Sequence, residues 1–153
     1  KKEEMMSIKS DLIDALHKAI KTKDVNSKTA IRLALSSIKR AEVDNGEELD
    51  DLLIFGILQK EIKTREETIA EAEKAGRHEM IQTMNKEIAI VQKFLPAELD
   101  DLELIKIIDN VITEKNATSI KQMGSVMKIV IEKVQGKASN DRISKIVKSK
   151  LTA

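Results

Sequence analysis

A single proline, Pro96, stands in a chain whose apolar residues otherwise recur at three- and four-residue spacing. Side chains at that spacing lie on one face of a helix, so the pattern predicts amphipathic helices. No stretch shows the apolar and polar alternation that is typical of strands. The sequence therefore predicts an all-α fold. Proline has no amide hydrogen and disfavours helix at the residue before it, so Phe94–Leu95–Pro96 predicts the main interruption.

The proline divides the chain into two predicted domains. Residues 7–96 are expected to form a helical bundle with a long antiparallel hairpin, and residues 97–153 a small three-helix domain that leans on this bundle or is only marginally stable. Turn signals at Asn45–Gly46 and Ala75–Gly76–Arg77 separate helices in the first domain. The predicted helices span about 7–23, 27–44, 48–74, a segment between Arg77 and Pro96, 100–115, 119–134 and 140–151.

The same spacing predicts which side chains are buried. The second half of the third helix is highly charged, so it is expected to project or to make a thin contact. The first residues, Lys1 to Glu4, are expected to lie outside the fold. The predicted buried rows are Ile8, Leu12, Leu16, Ala19 and Ile20; Ile31, Leu35 and Ile38; Ile81, Met84, Ile88, Val91 and Leu95; Leu102, Ile105, Ile108 and Ile112; and Met123, Val126, Met127, Val130 and Val134.

Composition excludes several classes of protein. The chain has no cysteine, which excludes disulfides, thiolate metal sites and cysteine nucleophiles and suggests a reducing, cytoplasmic setting. No run approaches the roughly 18 apolar residues of a membrane span, and no signal peptide is recognisable. The only aromatic residues are Phe55 and Phe94, so platforms on which single-stranded bases could stack are nearly absent.

The sequence offers no catalytic constellation. His17 and His78 adjoin no glycine-bracketed serine, and each is interpreted as a surface residue. Acidic pairs such as Glu66–Glu67 are interpreted as ordinary helix-surface charges, because no metal-ligand spacing surrounds them. Phosphate loops and dinucleotide fingerprints are absent. We therefore expect no catalytic residue, no metal and no cofactor in this chain.

Charge is distributed unevenly although the net charge is only +1. Residues 119–153 carry eight basic residues against two acidic ones, Glu132 and Asp141. Gly124 and Gly136 bracket the apolar row of this region. Gly124 is consistent with a close backbone approach or with a helix start whose amides are open, and Gly136 with a left-handed helix end. Open amides and cations are both able to bind phosphate.

This region and the part before it contain several short motifs: Met123–Gly124, Val126–Met127, Lys133–Val134, Gly136–Lys137–Ala138, Val147–Lys148 and Leu151, with Ala75–Gly76–Arg77, Glu87–Ile88 and Phe94–Leu95–Pro96 upstream. Together these motifs resemble the tail domain of the GatB/YqeY family. That helical module ends the B subunit of glutamine-dependent tRNA amidotransferases and also occurs as free-standing YqeY-like proteins. The resemblance extends from about Ile8 to Leu151, and the sequence departs from the family at Ser139–Asn140–Asp141.

The resemblance implies a non-catalytic protein that contacts the body of tRNA. It also implies amidotransferase subunits or another translation protein as partners, and a family-level label of carbon–nitrogen ligase with glutamine as amide donor. Neither the amidase apparatus nor the catalytic domain of the B subunit has a counterpart here. The candidate RNA contacts are Lys121, Gly124, Lys128, Lys133, Gly136, Lys137, Arg142, Lys145 and Lys148.

Three alternatives remain open from the sequence. The cations are also consistent with the solvated faces of two amphipathic helices, as is the Lys39–Arg40 pair in the second helix. The predicted hairpin over 62–81 is also consistent with a protein-docking module that does not bind RNA. A small enzyme is the third alternative, and glutaminase or amidotransferase activity of the chain alone would establish it.

Overall fold

The computed structural model describes residues 7–152, so the predicted extension at Lys1 to Glu4 lies outside the described residues. The described part contains seven α-helices, one 3₁₀ turn and no strand, which confirms the all-α prediction. The elements are α1 (Ile8–Thr22), α2 (Val25–Asn45), α3 (Asp51–Ala75), α4 (His78–Gln92), α5 (Asp101–Glu114), the 3₁₀ turn (Ile120–Gln122), α6 (Met123–Val134) and α7 (Asn140–Thr152).

Side-chain caps explain where several helices begin. Ser7, Asp24, Asp50 and Asp100 each accept a hydrogen bond from the backbone amide three residues later, at 3.1, 3.1, 3.0 and 2.8 Å. Such a cap satisfies one of the amides that the first helical turn leaves without a partner. Asp100 forms a full capping box, because the Glu103 side chain accepts from its backbone amide.

The chain divides into two compact units between Leu95 and Pro96. We call the part up to Leu95 unit 1 and the part from Pro96 onward unit 2. The limited stability of the second domain stays a prediction. The core of unit 1 is formed by Leu12, Ala30, Ile31, Ala34, Ile38, Ile54, Leu58 and Val91. Ile31 and Ile38 were predicted for this core, whereas Ile20 is 45% exposed, because it lies toward the edge of the α1 face centred on Leu12.

The α3–α4 hairpin packs along its length. The second half of α3 buries only Arg65 and Ala72, which agrees with the predicted thin contact rather than with a half that projects without contact. On α4 only Val91 of the predicted row is fully buried, and Glu87 is the other buried residue. Arg65 and Glu87 bond to each other, which lets two charged side chains occupy an interior position.

Unit 2 is a three-helix arrangement around its own core of Leu104, Ile108, Val111, Ala117, Val126, Val130, Val134, Ala138, Ile143, Val147 and Leu151. The predicted α6 row is confirmed, with Met123 and Met127 partly buried beside the three valines. On α5 the predicted burial is confirmed at Ile108 and wrong at Leu102. Leu102 is 80% exposed, because the buried row runs through Leu104, Ile108 and Val111 instead.

Bonds between the helices of unit 2 define their directions. The amide of Leu99, before α5, donates to the carbonyl of Lys137, just after α6, so α5 and α6 run antiparallel. Asp101 and Asp109 of α5 pair with Arg142 and Lys150 of α7 in the same order along both helices. Helices α5 and α7 are therefore parallel, and α6 runs opposite to both.

Membrane insertion of a helix is not indicated. Across residues 7–152, no helix combines the length and the apolar character needed to span a bilayer.

Candidate nucleic-acid interface

Helix α6 presents a polar face opposite its buried valines. Val126, Val130 and Val134 follow one another at four-residue spacing and are buried. The exposed positions on the opposite side include Lys128, and Lys133 is exposed near the helix end. Glu132 is exposed one turn after Lys128, so a carboxylate lies on the same face as that lysine.

The start of α6 differs from the predicted continuous helix over 119–134. A 3₁₀ turn occupies Ile120–Gln122, and the Gln122 side chain accepts hydrogen bonds from the amides of Thr118 at 2.7 Å and Ser119 at 3.1 Å. Gly124 is the second residue of α6 and is exposed, and a Cβ placed on it would meet nothing within 4 Å. The close backbone approach considered for Gly124 is therefore wrong, whereas its place at a helix start is confirmed.

The end of α6 turns through two left-handed residues. Gln135 has φ +48° and Gly136 has φ +81°, so the left-handed helix end begins one residue earlier than predicted. Gly136 is buried, and the flanking Lys137 amide donates to the Val134 carbonyl at 2.9 Å. This turn orders the link to α7. The burial of Gly136 leaves its backbone poorly placed to meet a phosphate.

Two cations of α7 serve the contact with α5. Arg142 donates through Nη2 to Asp101 Oδ1 at 2.8 Å, and its Nη1 lies 4.0 Å from Glu98 Oε1. Lys150 Nζ lies 3.0 Å from Asp109 Oδ1. The acidic first helix of unit 2 thus offsets part of the basic charge of the last helix. Arg142, a predicted RNA contact, is already engaged within the protein.

The other predicted cations face solvent. Lys145 is 75% exposed and pairs with Asp141, one turn before it, at 3.2 Å. The remaining five are exposed, and none forms an ion pair or side-chain hydrogen bond with another residue of 7–152: Lys121, Lys128, Lys133, Lys137 and Lys148.

These cations are spread along unit 2 rather than gathered at one point. A short link joins the antiparallel helices α6 and α7, so Lys133, Lys137 and Lys145 lie toward one end of the pair. Lys121 and Lys148 lie toward the other end, where the 3₁₀ turn packs on α7. The 12 residues of α6 extend about 18 Å, so the arrangement suits an extended polyanion better than a small anion.

Chemistry other than ion pairing is sparse. His17 and His78 are both exposed, as predicted. Within the described residues no group of three or more histidine or acidic side chains could hold a metal ion.

Unit 1 has a cleft of about 280 Å³ near the start of α2. Its Asp24 caps α2 and accepts from the Ser27 hydroxyl at 2.7 Å, which holds the pKa of Asp24 below its usual value.

The sequence interpretation missed the buried ion pair between Arg65 and Glu87. Both residues interrupt interior rows, since Arg65 lies seven residues after Leu58 and Glu87 lies four before Val91. Opposite charges at interior positions of two helices in one hairpin are the signal that could have revealed this pair.

Curated relatives occur among yeast proteins. The chain is 30% identical over 115 residues to a Kluyveromyces lactis protein named Altered inheritance of mitochondria protein 41, mitochondrial, covering 71% of this chain and 62% of the relative. It is 36% identical over 81 residues to the protein of the same name from Lachancea thermotolerans, covering 52% of this chain and 43% of the relative. The chain thus spans less than two thirds of the length of these relatives.

A protein-family model matches nearly the whole described chain. The model is described as Yqey-like protein and matches residues 9–151, which include both units. The chain therefore belongs to the Yqey-like protein family.

Proposed function

We propose that this chain is a non-catalytic accessory protein that binds tRNA through unit 2. The observation that carries the proposal is the set of five exposed lysines on α6, α7 and their flanking turns that have no partner within residues 7–152. A lysine that is not neutralised within the protein is able to neutralise a phosphate and release its counterions.

The surrounding ion pairs strengthen the proposal. Asp101 and Asp109, two acids of unit 2 that could cancel basic charge, are held by Arg142 and Lys150. These acids are therefore occupied by cations that stabilise the packing of α5 on α7. Of the seven cations predicted from the sequence as RNA contacts, only Arg142 and Lys145 have an acidic partner among the described residues.

The composition of the surface favours structured RNA over single strands. Lysine contacts to phosphate position a nucleic acid without reading its sequence. Unit 2 contains no aromatic residue on which an unpaired base could stack. Recognition of folded RNA by backbone and shape fits this surface, and tRNA is the folded RNA that the resemblance to amidotransferase tails implies.

The relation to amidotransferases and the cellular setting are part of the same proposal. The chain would act beside an amidotransferase subunit or another translation protein and would supply tRNA contact rather than catalysis. A carbon–nitrogen ligase label would then describe the assembly and not this chain. The relatives carry the word mitochondrial in their names, whereas the sequence suggested the cytoplasm. Both compartments contain tRNA, so the proposed ligand is available in either.

The test is the affinity of the full chain for total tRNA across a salt series. A variant with Lys128, Lys133, Lys137 and Lys148 changed to glutamine is compared with a control in which Lys60, Lys74, Arg77 and Lys86 are changed. Both variants lose four charges, and the control residues are exposed on the hairpin. The logarithm of the binding constant falls linearly with the logarithm of the salt concentration. If each lysine contacts one phosphate, each substitution in the unit 2 variant makes this slope shallower by about 0.7 to 0.9.

The control is expected to keep most of the slope and affinity of the unaltered chain. Equal binding by the two variants would show that net charge alone governs the interaction and would overturn the proposed interface. Absence of binding at low salt would overturn tRNA binding itself.

The surface of residues 62–81 gives little support to the alternative that this segment docks on a protein. Met80, at 39% exposure, is the one exposed large apolar side chain in this segment, and most of its other exposed residues are charged. Recovery of a protein partner that survives nuclease treatment, and that is lost when Met80 is changed, would support this alternative.

A further inference from the structure

Helix α2 carries a second cationic surface, in unit 1. No acidic residue occurs from Val25 to Ala41, the longest acid-free stretch of unit 1, and four basic residues fall within it. Arg32, Lys39 and Arg40 are exposed, on the side of the helix opposite the buried row of Ala30, Ala34 and Ile38. We call the exposed residues Thr29, Arg32, Ser36, Lys39 and Arg40 the α2 face.

The cations of this face are not neutralised by the fold. Within the described residues, none of Arg32, Lys39 and Arg40 forms an ion pair or a side-chain hydrogen bond. The carboxylates that flank the stretch are engaged elsewhere. Asp24 caps the helix, and Glu42 accepts from Lys9 Nζ at 2.8 Å.

One further acid lies close to the face. Asp44, one turn after Arg40 at the end of α2, is exposed and forms no ion pair with it. The face therefore retains an excess of positive charge along most of the helix.

We propose that the α2 face is a second surface for the phosphate backbone of the same RNA. This inference rests on the proposed function and adds a contact in unit 1 to the lysines of unit 2. Arg32 and Arg40 are eight residues apart, which places them about 12 Å apart along the helix axis on one side. Guanidinium groups bind phosphate through paired hydrogen bonds, and the hydroxyls of Thr29 and Ser36 between them are further donors.

The side chains of the face favour RNA over an acidic protein partner. Protein interfaces have an apolar centre that is depleted of charge. Here the centre is charged and hydroxylated, and the exposed apolar residues stand singly: Val25 and Val43 near the two ends, and Leu33 toward one side. Isolated apolar side chains of this kind are common on protein surfaces and do not by themselves indicate docking.

The experiment compares full-length variants for binding to total tRNA across a salt series. The test variant changes Arg32, Lys39 and Arg40 to glutamine, and the matched control changes Lys60, Lys74 and Arg77 to glutamine. Circular dichroism and urea unfolding establish that each variant is folded. In the test variant, the slope of log binding constant against log salt concentration is expected to become shallower by roughly two, and the affinity at physiological salt to fall at least about tenfold. The control is expected to change far less in both quantities.

The outcomes distinguish this inference from the proposed function. If the unit 2 variant is weakened and the α2 variant binds within about twofold of its control, the α2 inference is overturned and the proposed function stands. If the α2 variant alone is weakened, the α2 face is supported and the assignment of the unit 2 lysines is overturned. If the unaltered chain does not bind tRNA, both the proposed function and the α2 inference are overturned.

Discussion

The Arg65 guanidinium donates through Nε to Glu87 Oε1 at 2.9 Å, and the two residues are 4% and 5% exposed. Arg65 Nη1 also donates to the carbonyl and the side chain of Glu61, whose other carboxylate oxygen accepts from the Ser37 hydroxyl at 3.0 Å. This network joins α2, α3 and α4. Arg65 Nη2 is buried without a hydrogen-bond partner among the described residues. Because another alignment would separate the two buried charges, we infer that the pair fixes the register of the α3–α4 hairpin.

Removal of one partner of this pair is expected to destabilise the protein strongly. Glu87→Leu leaves a buried guanidinium with Glu61 as its remaining acidic partner, and we expect a loss of roughly 3 kcal/mol or more in the free energy of unfolding. Arg65→Met combined with Glu87→Leu removes both charges and is expected to recover most of that loss. Urea unfolding of the two variants measures the difference. A double variant less stable than the single one would contradict the interpretation.

The ion pair between Arg142 and Asp101 is expected to contribute far less. Asp101 is 81% exposed, and surface pairs contribute about 0.2 to 1 kcal/mol. A double-mutant cycle with Arg142→Gln and Asp101→Asn is expected to give a coupling energy within that range. Because Arg142 is already engaged, Arg142→Gln is also expected to weaken tRNA binding less than Lys137→Gln does. The reverse order of the two affinities would show that Arg142 leaves Asp101 to meet RNA.

Gly124, in α6, and Gly136, just after it, are expected to respond in opposite directions to substitution by alanine. Gly136 has φ +81°, where a side chain is strained, so Gly136→Ala is expected to destabilise the protein by about 1 kcal/mol or more. Gly124 is helical with open space around an added Cβ, so Gly124→Ala is expected to stabilise it by up to about 1 kcal/mol. Thermal unfolding checks both.

Acid is expected to weaken the protein through carboxylates at the ends of α2. The hydrogen bond from Lys9 holds the pKa of Glu42 below its usual value of 4.5. A group whose pKa is lowered in the folded state stabilises that state above its unfolded pKa, and this stabilisation is lost as the pH falls through the folded pKa. The stability difference between the unaltered chain and Glu42→Gln should therefore shrink below pH 4.5. A difference that stays constant with pH would contradict this.

Local sequence signals predicted the positions of the helices better than they predicted which side chains of each helix are buried. The ends of α2 and α3 followed from the glycine turns at Asn45–Gly46 and Ala75–Gly76–Arg77, which depend on neighbouring residues only. On α5, Leu102 and Leu104 are equally apolar, and packing against α6 and α7 decides that Leu104 is the buried one. That decision depends on contacts distant in sequence, so periodicity could place the row only approximately.

The candidate interface shows the same limit. Sequence counts give a basic excess in the last two helices, but Arg142 and Lys150 find acidic partners 41 residues away on α5. Only the fold separates these engaged cations from lysines such as Lys128 and Lys137, which have no ion-pair partner in the described residues. Likewise, the sequence does not show that the cations of the α2 face lack acidic partners. The structure shows it, because the flanking Asp24 caps the helix and Glu42 pairs with Lys9.

Lysine protection by tRNA tests the central claim most directly. The full chain is acetylated at low reagent concentration with and without saturating tRNA, and the modification of each lysine is read by mass spectrometry. We predict that Lys128, Lys133, Lys137 and Lys148 become protected, while Lys60 and Lys74 on the hairpin react equally in both conditions. Protection confined to the hairpin lysines, or no protection at saturating tRNA, would contradict the assignment of unit 2 as the RNA-binding surface.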